Sequence, residues 1–203
     1  MMDRTQHVNA KPQIHPSAYI APSAVVSGNV TIGPETVVSY GAVLVADGGR
    51  IVVGRNTVIM EHAIVRSSGY SDCLVGNNVM IGPHTHLSGC AVGDECFIAT
   101  GASVFNGATL GKWSEVRING VVHLKTVLPE ESTVPIGWIA VGDPVRMFPP
   151  DQHDEIWAIQ KELNFPMNVF GVERNGPSPD SPIKQMTGKY GRYVIHARTR
   201  SDG

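Results

Sequence analysis

Aliphatic residues return every six positions along most of this chain. Stepping from Ile14 gives Ile20, Val26, Ile32, Val38 and Leu44, and after a break the series resumes at Val53, Ile59 and Val65. After a second break it runs through Val75, Ile81 and Leu87, then from Val92 through Ile98, Val104, Leu110, Val116, Val122, Leu128 and Val134 to Ala140. The residue that follows the aliphatic is often glycine, as at Gly33, Gly54, Gly76, Gly82, Gly93 and Gly111. A small residue tends to sit four places on, as at Ala24, Ala42, Ala63, Ala102 and Ala108.

This period matches neither the 3.6 of a helix nor the alternation of an ordinary strand. It describes a chain that runs straight for a few residues and then turns a corner. Three such edges close a triangular coil, and each aliphatic points inward to stack on its counterpart one coil away, about 4.8 Å along the axis. Glycine and small residues are expected at the corners, where the backbone bends and a Cβ crowds the interior. The predicted fold class is mainly β: a left-handed parallel β-helix of about seven coils, with a C-terminal α-helix and an extended tail. A sandwich of short strands would show period-two alternation and turn signals at wider spacing, and the sequence shows neither.

The two breaks, Val45 to Val52 and Ser67 to Leu74, predict short loops that leave the prism, and loops on a rigid scaffold often carry binding residues. The repeat ends at Gly142-Asp143-Pro144. Asp151, after Pro149 and Pro150, can cap a helix whose stripe is Ile156, Ile159 and Leu163, with Trp157 beside it and Pro166 at its end. The expected organisation is a lead-in over 1–13, the β-helix over 14–148, the helix over 149–166 and an extended or partly disordered tail over 167–203. A strand is possible at Tyr193-Val194-Ile195, and the tail is basic at Lys184, Lys189, Arg192, Arg198 and Arg200.

Composition narrows the function classes. Lys+Arg 16 against Asp+Glu 18 gives no electrostatic footprint for nucleic acid. Low aromatic content, 6 %, with 22 glycines suits many short strands and tight turns. Cys73, Cys90 and Cys96 form no CxxC pair and read as buried, reduced thiols of a cytoplasmic protein. The stretch through Pro16 has no apolar core of a signal peptide, and no apolar run is long enough to span a membrane.

Between Gly41 and Val145 stand the strings Gly41-Ala42-Val43-Leu44, Val53-Gly54-Arg55-Asn56-Thr57, Ile81-Gly82, Gly89-Cys90, Val92-Gly93-Asp94, Thr100-Gly101-Ala102 and Val141-Gly142-Asp143-Pro144. In these strings the chain resembles γ-class carbonic anhydrases of the hexapeptide-repeat superfamily. The resemblance implies a homotrimer in which three histidines hold a zinc or iron ion between subunits, the metal activating a water that attacks CO2. Here the three ligand positions are Arg66, Pro83 and Ser88. Proline has no donor atom, arginine stays protonated and repels a cation, and serine is a poor zinc ligand beside imidazole or thiolate. The family's Arg-Gly-Asp string is Val45-Ala46-Asp47, and its glutamine near the metal is Met60. These losses argue against CO2 hydration. Arg66, with Asp47 and Ser88 nearby, becomes a candidate anchor for a small carboxylate or phosphate.

Three readings of function follow. The first is a trimer degenerate at the metal site that binds a small anionic ligand at a subunit interface or serves as a structural subunit, with no cofactor. The second is an acyltransferase or thioesterase using coenzyme A, with His62, His84 or His86 as base. The third is a hydrolase whose metal, such as zinc, has moved to His62, His84 and His86. His62 and His84 each lie three places past an aliphatic residue, one coil apart, so their rings are expected to stack; His86 lies near the corner. His123 shares the edge position of Arg66 and Ser88 but stands about 10 Å past Ser88, too far for one metal sphere.

Overall fold

A computed structural model describes residues 10–68, 71–174 and 180–199, with side chains described as far as Ile195. It is a left-handed β-solenoid of about seven turns whose short parallel strands form three flat faces. The first face runs from Gln13–Ile14 to Val127–Leu128 and the second from Tyr19–Ile20 to Thr133–Val134, with seven strands each. The third runs from Val25–Ser27 to Ile139–Val141 and gains an antiparallel eighth strand, Arg146–Phe148.

From Ile32 onward the six-residue aliphatics are the core, while Ile14 in the first coil stays 42 % exposed. Ile32, Val38, Leu44, Ile59, Ile81, Leu87, Ile98 and Leu110 are all buried, stacked coil on coil by in-register pairs such as Ile59↔Ile81 and Ile81↔Ile98. Pairing at constant register fixes which residue of each strand faces out, because a slip of one would reverse the faces. Buried hydroxyls tie successive coils together: Thr36 Oγ1 donates to the Gly54 carbonyl at 2.7 Å and Thr57 Oγ1 to the Gly76 carbonyl at 3.0 Å.

At one corner glycine answers the expected crowding and not a left-handed turn. Gly33, Gly54 and Gly76 do not take a positive φ; a Cβ built on Gly33 would lie 2.7 Å from the Gly54 carbonyl carbon, and one on Gly54 2.7 Å from that of Gly76. They are glycine because successive coils approach too closely for a side chain. The left-handed corner positions are largely taken by other residues, among them Glu35 (φ 59), His62 (φ 58), His84 (φ 57) and Lys125 (φ 56).

Both insertions leave the same prism corner, one coil apart. Arg50 joins them, its Nε donating to Asp72 Oδ2 at 3.0 Å and its backbone N–H to Asp72 Oδ1 at 3.1 Å. Gly69 and Tyr70 of the second insertion lie outside the described residues.

The C-terminal region departs from expectation. Helix α1, His153–Gln160, begins after a turn that takes in Asp151, and its N-cap is Gln152 with no side-chain capping bond. Ile156 buries against Val141 and Phe148, with Ile159 and Leu163 alongside, so the predicted stripe packs on the end of the third face. Pro166 does not stop a helix; it sits in the first turn of α2, Phe165–Phe170, where a missing N–H costs nothing. The tail expected to be extended forms α3, Pro182–Thr199, and Tyr193-Val194-Ile195 lies in that helix and not in a strand. Ser181 Oγ accepts the Lys184 N–H at 3.2 Å, and Lys184 pairs with Asp180 four residues earlier. Arg200 and the side chain of Arg198 lie outside the described residues. Among the described residues no helix is long and apolar enough to cross a membrane.

Candidate functional site

The outward positions of the third face form ladders. Val45 pairs with Arg66 and Arg66 with Ser88, so two of the family's three ligand positions are neighbours across one strand gap. Alternation about the buried Leu44, Val65 and Leu87 turns all three side chains outward. The next two coils continue the row with Phe105 and His123, whose ring centroids lie 6.1 Å apart.

Arg66 is half-buried and fully engaged at one nitrogen. Its Nη2 donates to Asp47 Oδ2 at 3.0 Å and to the Tyr190 hydroxyl oxygen at 2.8 Å. Asp47 comes from the first insertion, two residues past the strand partner of Arg66, and Tyr190 comes from α3. Burial is the largest single influence on Arg66 and works against its charge, but the bonds to Tyr190 and Asp47 outweigh it and hold the guanidinium more firmly protonated than usual. Ser88 Oγ donates to Asn106 Oδ1 at 3.3 Å.

His86 lies outward on the same strand as Ser88, half-buried, its ring 6.2 Å from Phe105. Burial first, then the positive charge of Arg66, lowers its proton affinity. Burial does the same for His123, whose Nδ1 is buried and has no hydrogen-bond partner among the described residues.

His62 and His84 stack as the repeat arithmetic implies, with ring centroids 5.3 Å apart and planes within 11° of parallel. Their rings stand at the exposed corner between the second and third faces, and the His62 ring fills the space over Gly41. His86 does not complete a triad with them. Thr85, buried between His84 and His86, carries the chain around the corner and onto the third face. Among the described residues no group of three or more His, Cys, Asp or Glu side chains is arranged to hold a metal ion. Cys73, Cys90 and Cys96 are buried and free.

A family profile described as bacterial transferase hexapeptide (six repeats) matches residues 72–106. Gamma carbonic anhydrase 1, mitochondrial, of Arabidopsis thaliana is 32 % identical over 183 residues, covering 80 % of this chain and 64 % of that protein. The chain carries the hexapeptide repeat and is similar in sequence to γ-carbonic anhydrases. This γ-carbonic-anhydrase-like chain thus spans under two thirds of that relative's length. Carnitine operon protein CaiE of Escherichia coli (strain K12) is 32 % identical over 105 residues, 52 % of this chain and 54 % of that protein. The solenoid also matches the structure of LpxA, a UDP-N-acetylglucosamine acyltransferase from Bacteroides fragilis, with a TM-score of 0.56 at 16 % identity over 90 % of this chain and 89 % of that one; the match is one of fold.

The residues present do not fit the family's metal. A half-buried guanidinium, already matched by Asp47, stands at the first ligand position, the second has no donor atom, and the hydroxyl at the third is engaged with Asn106. The chemistry the cluster supports is hydrogen bonding and charge pairing with an oxyanion, beside an imidazole held neutral near pH 7. Of the residues the sequence offers for this site, Asp47 bonds Arg66 and Ser88 stands beside it on the next strand; Tyr190, 124 positions from Arg66, comes from a helix that the sequence reads as an extended arm.

Proposed function

We propose that this γ-carbonic-anhydrase-like chain is the protomer of a homotrimer that lacks CO2 hydration and binds a small carboxylate or phosphate at Arg66. The observation that carries the reading is the Arg66–Asp47 ion pair at a metal-ligand position, 3.0 Å between Nη2 and Oδ2. A fixed positive charge excludes a metal ion and offers planar, forked donors to an oxyanion. Support for the trimer comes from the second face. Its outward column reads Tyr19, Val37, Val58, Met80 and Phe97 in continuous register, five apolar residues on a flat surface, with Tyr19 49 % and Met80 47 % exposed. Such a stripe suits burial against a second copy. The free cysteines suit a reducing compartment such as the cytoplasm.

Stopped-flow CO2 hydration on zinc-supplemented protein tests the first half of the reading. The expected rate is that of the uncatalysed reaction, and zinc-dependent acceleration would overturn it.

His86 favours a second reading, acyl transfer from coenzyme A. A half-buried imidazole kept neutral can accept a proton from an attacking hydroxyl or amine, which is what such a transfer needs. Thiol release from acetyl-CoA that disappears in H86Q would support it; no turnover leaves the anion-binding reading in place.

A further inference from the structure

The guanidinium of Arg66 presents two forks to a bidentate anion, one formed by Nε and Nη2 and the other by Nη1 and Nη2. Both forks need a hydrogen on Nη2. In this structure Asp47 Oδ2 takes one Nη2 hydrogen at 3.0 Å and the Tyr190 hydroxyl takes the other at 2.8 Å. Neither fork is therefore open. The Asp47 bond is charge-assisted and its carboxylate is largely buried, whereas Tyr190 is a neutral acceptor and 41 % exposed. Of the two, Tyr190 is the one that a stronger acceptor displaces.

We propose that α3 is a displaceable cover on the Arg66 site, the Tyr190 hydroxyl holding the place that an oxygen of a bound carboxylate or phosphate takes over. This rests on the reading of Arg66 as an anion anchor. The construction of α3 suits a part that lifts. Gly188 and Gly191 flank Tyr190 and weaken the helix at the turn that carries it. The helix is held to α2 at its middle, by Lys189 Nζ donating to the Gly171 carbonyl at 2.6 Å and by the edge-to-face contact of Tyr190 with Phe170, whose centroids are 6.2 Å apart. Ile183 and Ile195, on either side, stay 64 % and 66 % exposed. Lifting α3 breaks the Arg66–Tyr190 bond, the Lys189–Gly171 bond and the Tyr190–Phe170 ring contact, and it frees a fork while Asp47 keeps the guanidinium in position.

The test is equilibrium dialysis of the full chain against labelled inorganic phosphate at low ionic strength, for wild type, Y190F and R66A. Amide hydrogen exchange across 182–195, with and without phosphate, accompanies it. Y190F keeps the ring against Phe170 and removes only the competing hydroxyl. The expected result is binding about three- to tenfold tighter in Y190F than in wild type, lost in R66A, with α3 exchanging faster when phosphate is bound. Binding lost in R66A but equal or weaker in Y190F, with α3 exchange unchanged, overturns the cover and leaves the anchor standing. Absence of binding in wild type and Y190F alike, or binding indifferent to R66A, overturns the anchor and the cover with it.

Discussion

Asp47 accepts a hydrogen bond from Arg66 across one coil of the solenoid, 3.0 Å from Oδ2 to Nη2, with the carboxylate side chain 15 % and the guanidinium 34 % exposed. A pair this sheltered is screened less than a surface pair, and removing one member strands the other. D47N is expected to destabilise the fold by about 1 kcal/mol, and D47N with R66M to recover part of that loss. Urea unfolding of the two single variants and the double measures the coupling; additive effects would show that the pair contributes nothing.

Stability should also respond to pH through two histidines. His86 and His123 both titrate below the ordinary 6.5 in the folded chain. The unfolded chain then binds more protons than the folded one between those depressed values and 6.5. Their contribution is complete above the unfolded value, falls as pH drops through the window, and levels off below the folded values. Urea midpoints at about pH 7.5 and about pH 5.5 should differ more in wild type than in the H86Q/H123Q double variant. An equal difference in both would remove these histidines from the account.

The two uses of corner positions are separable by mutation. In G54A the new Cβ meets the Gly76 carbonyl carbon at 2.7 Å, backbone that cannot move aside cheaply. A loss of about 2 kcal/mol or more is expected, a fall in Tm of about 4–8 °C. E35G relieves an exposed left-handed residue at φ 59 and should leave Tm unchanged or slightly higher. Thermal unfolding followed by circular dichroism distinguishes them, and equal losses would refute the assignment of close approach to Gly54.

Assembly is expected to depend on the second face. M80E places a charge in the middle of the Tyr19–Val37–Val58–Met80–Phe97 column, while T109E alters an exposed outward position of the first face. Light scattering should give three times the 21.8 kDa protomer for wild type and T109E and a smaller mass for M80E. A single-protomer mass for wild type would contradict the trimer.

The repeat makes the solenoid legible because each six-residue aliphatic has one place to go, and the buried Ile32, Ile59 and Ile98 are where the period puts them. The same arithmetic finds the His62–His84 stack, since both rings occupy equivalent corners. It does not carry His86 to them, because the chain turns onto another face between His84 and His86. It also places glycine after the aliphatics where a Cβ would crowd, and the structure adds that the crowding comes from the next coil. Helix α3 is hidden by Gly188 and Gly191, although Ser181-Pro182 and the Asp180–Lys184 spacing are start signals for it. The Tyr190–Arg66 bond joins distant parts of the chain through tertiary packing, and nothing local encodes it.

Zinc content per chain tests the central claim most directly, measured by elemental analysis on untagged protein purified without chelator and equilibrated with zinc. The account predicts far less than one zinc per chain, because Arg66, Pro83 and Ser88 supply no ligand set. One zinc per chain, lost in H84A, would contradict it and return this fold to the metalloenzymes.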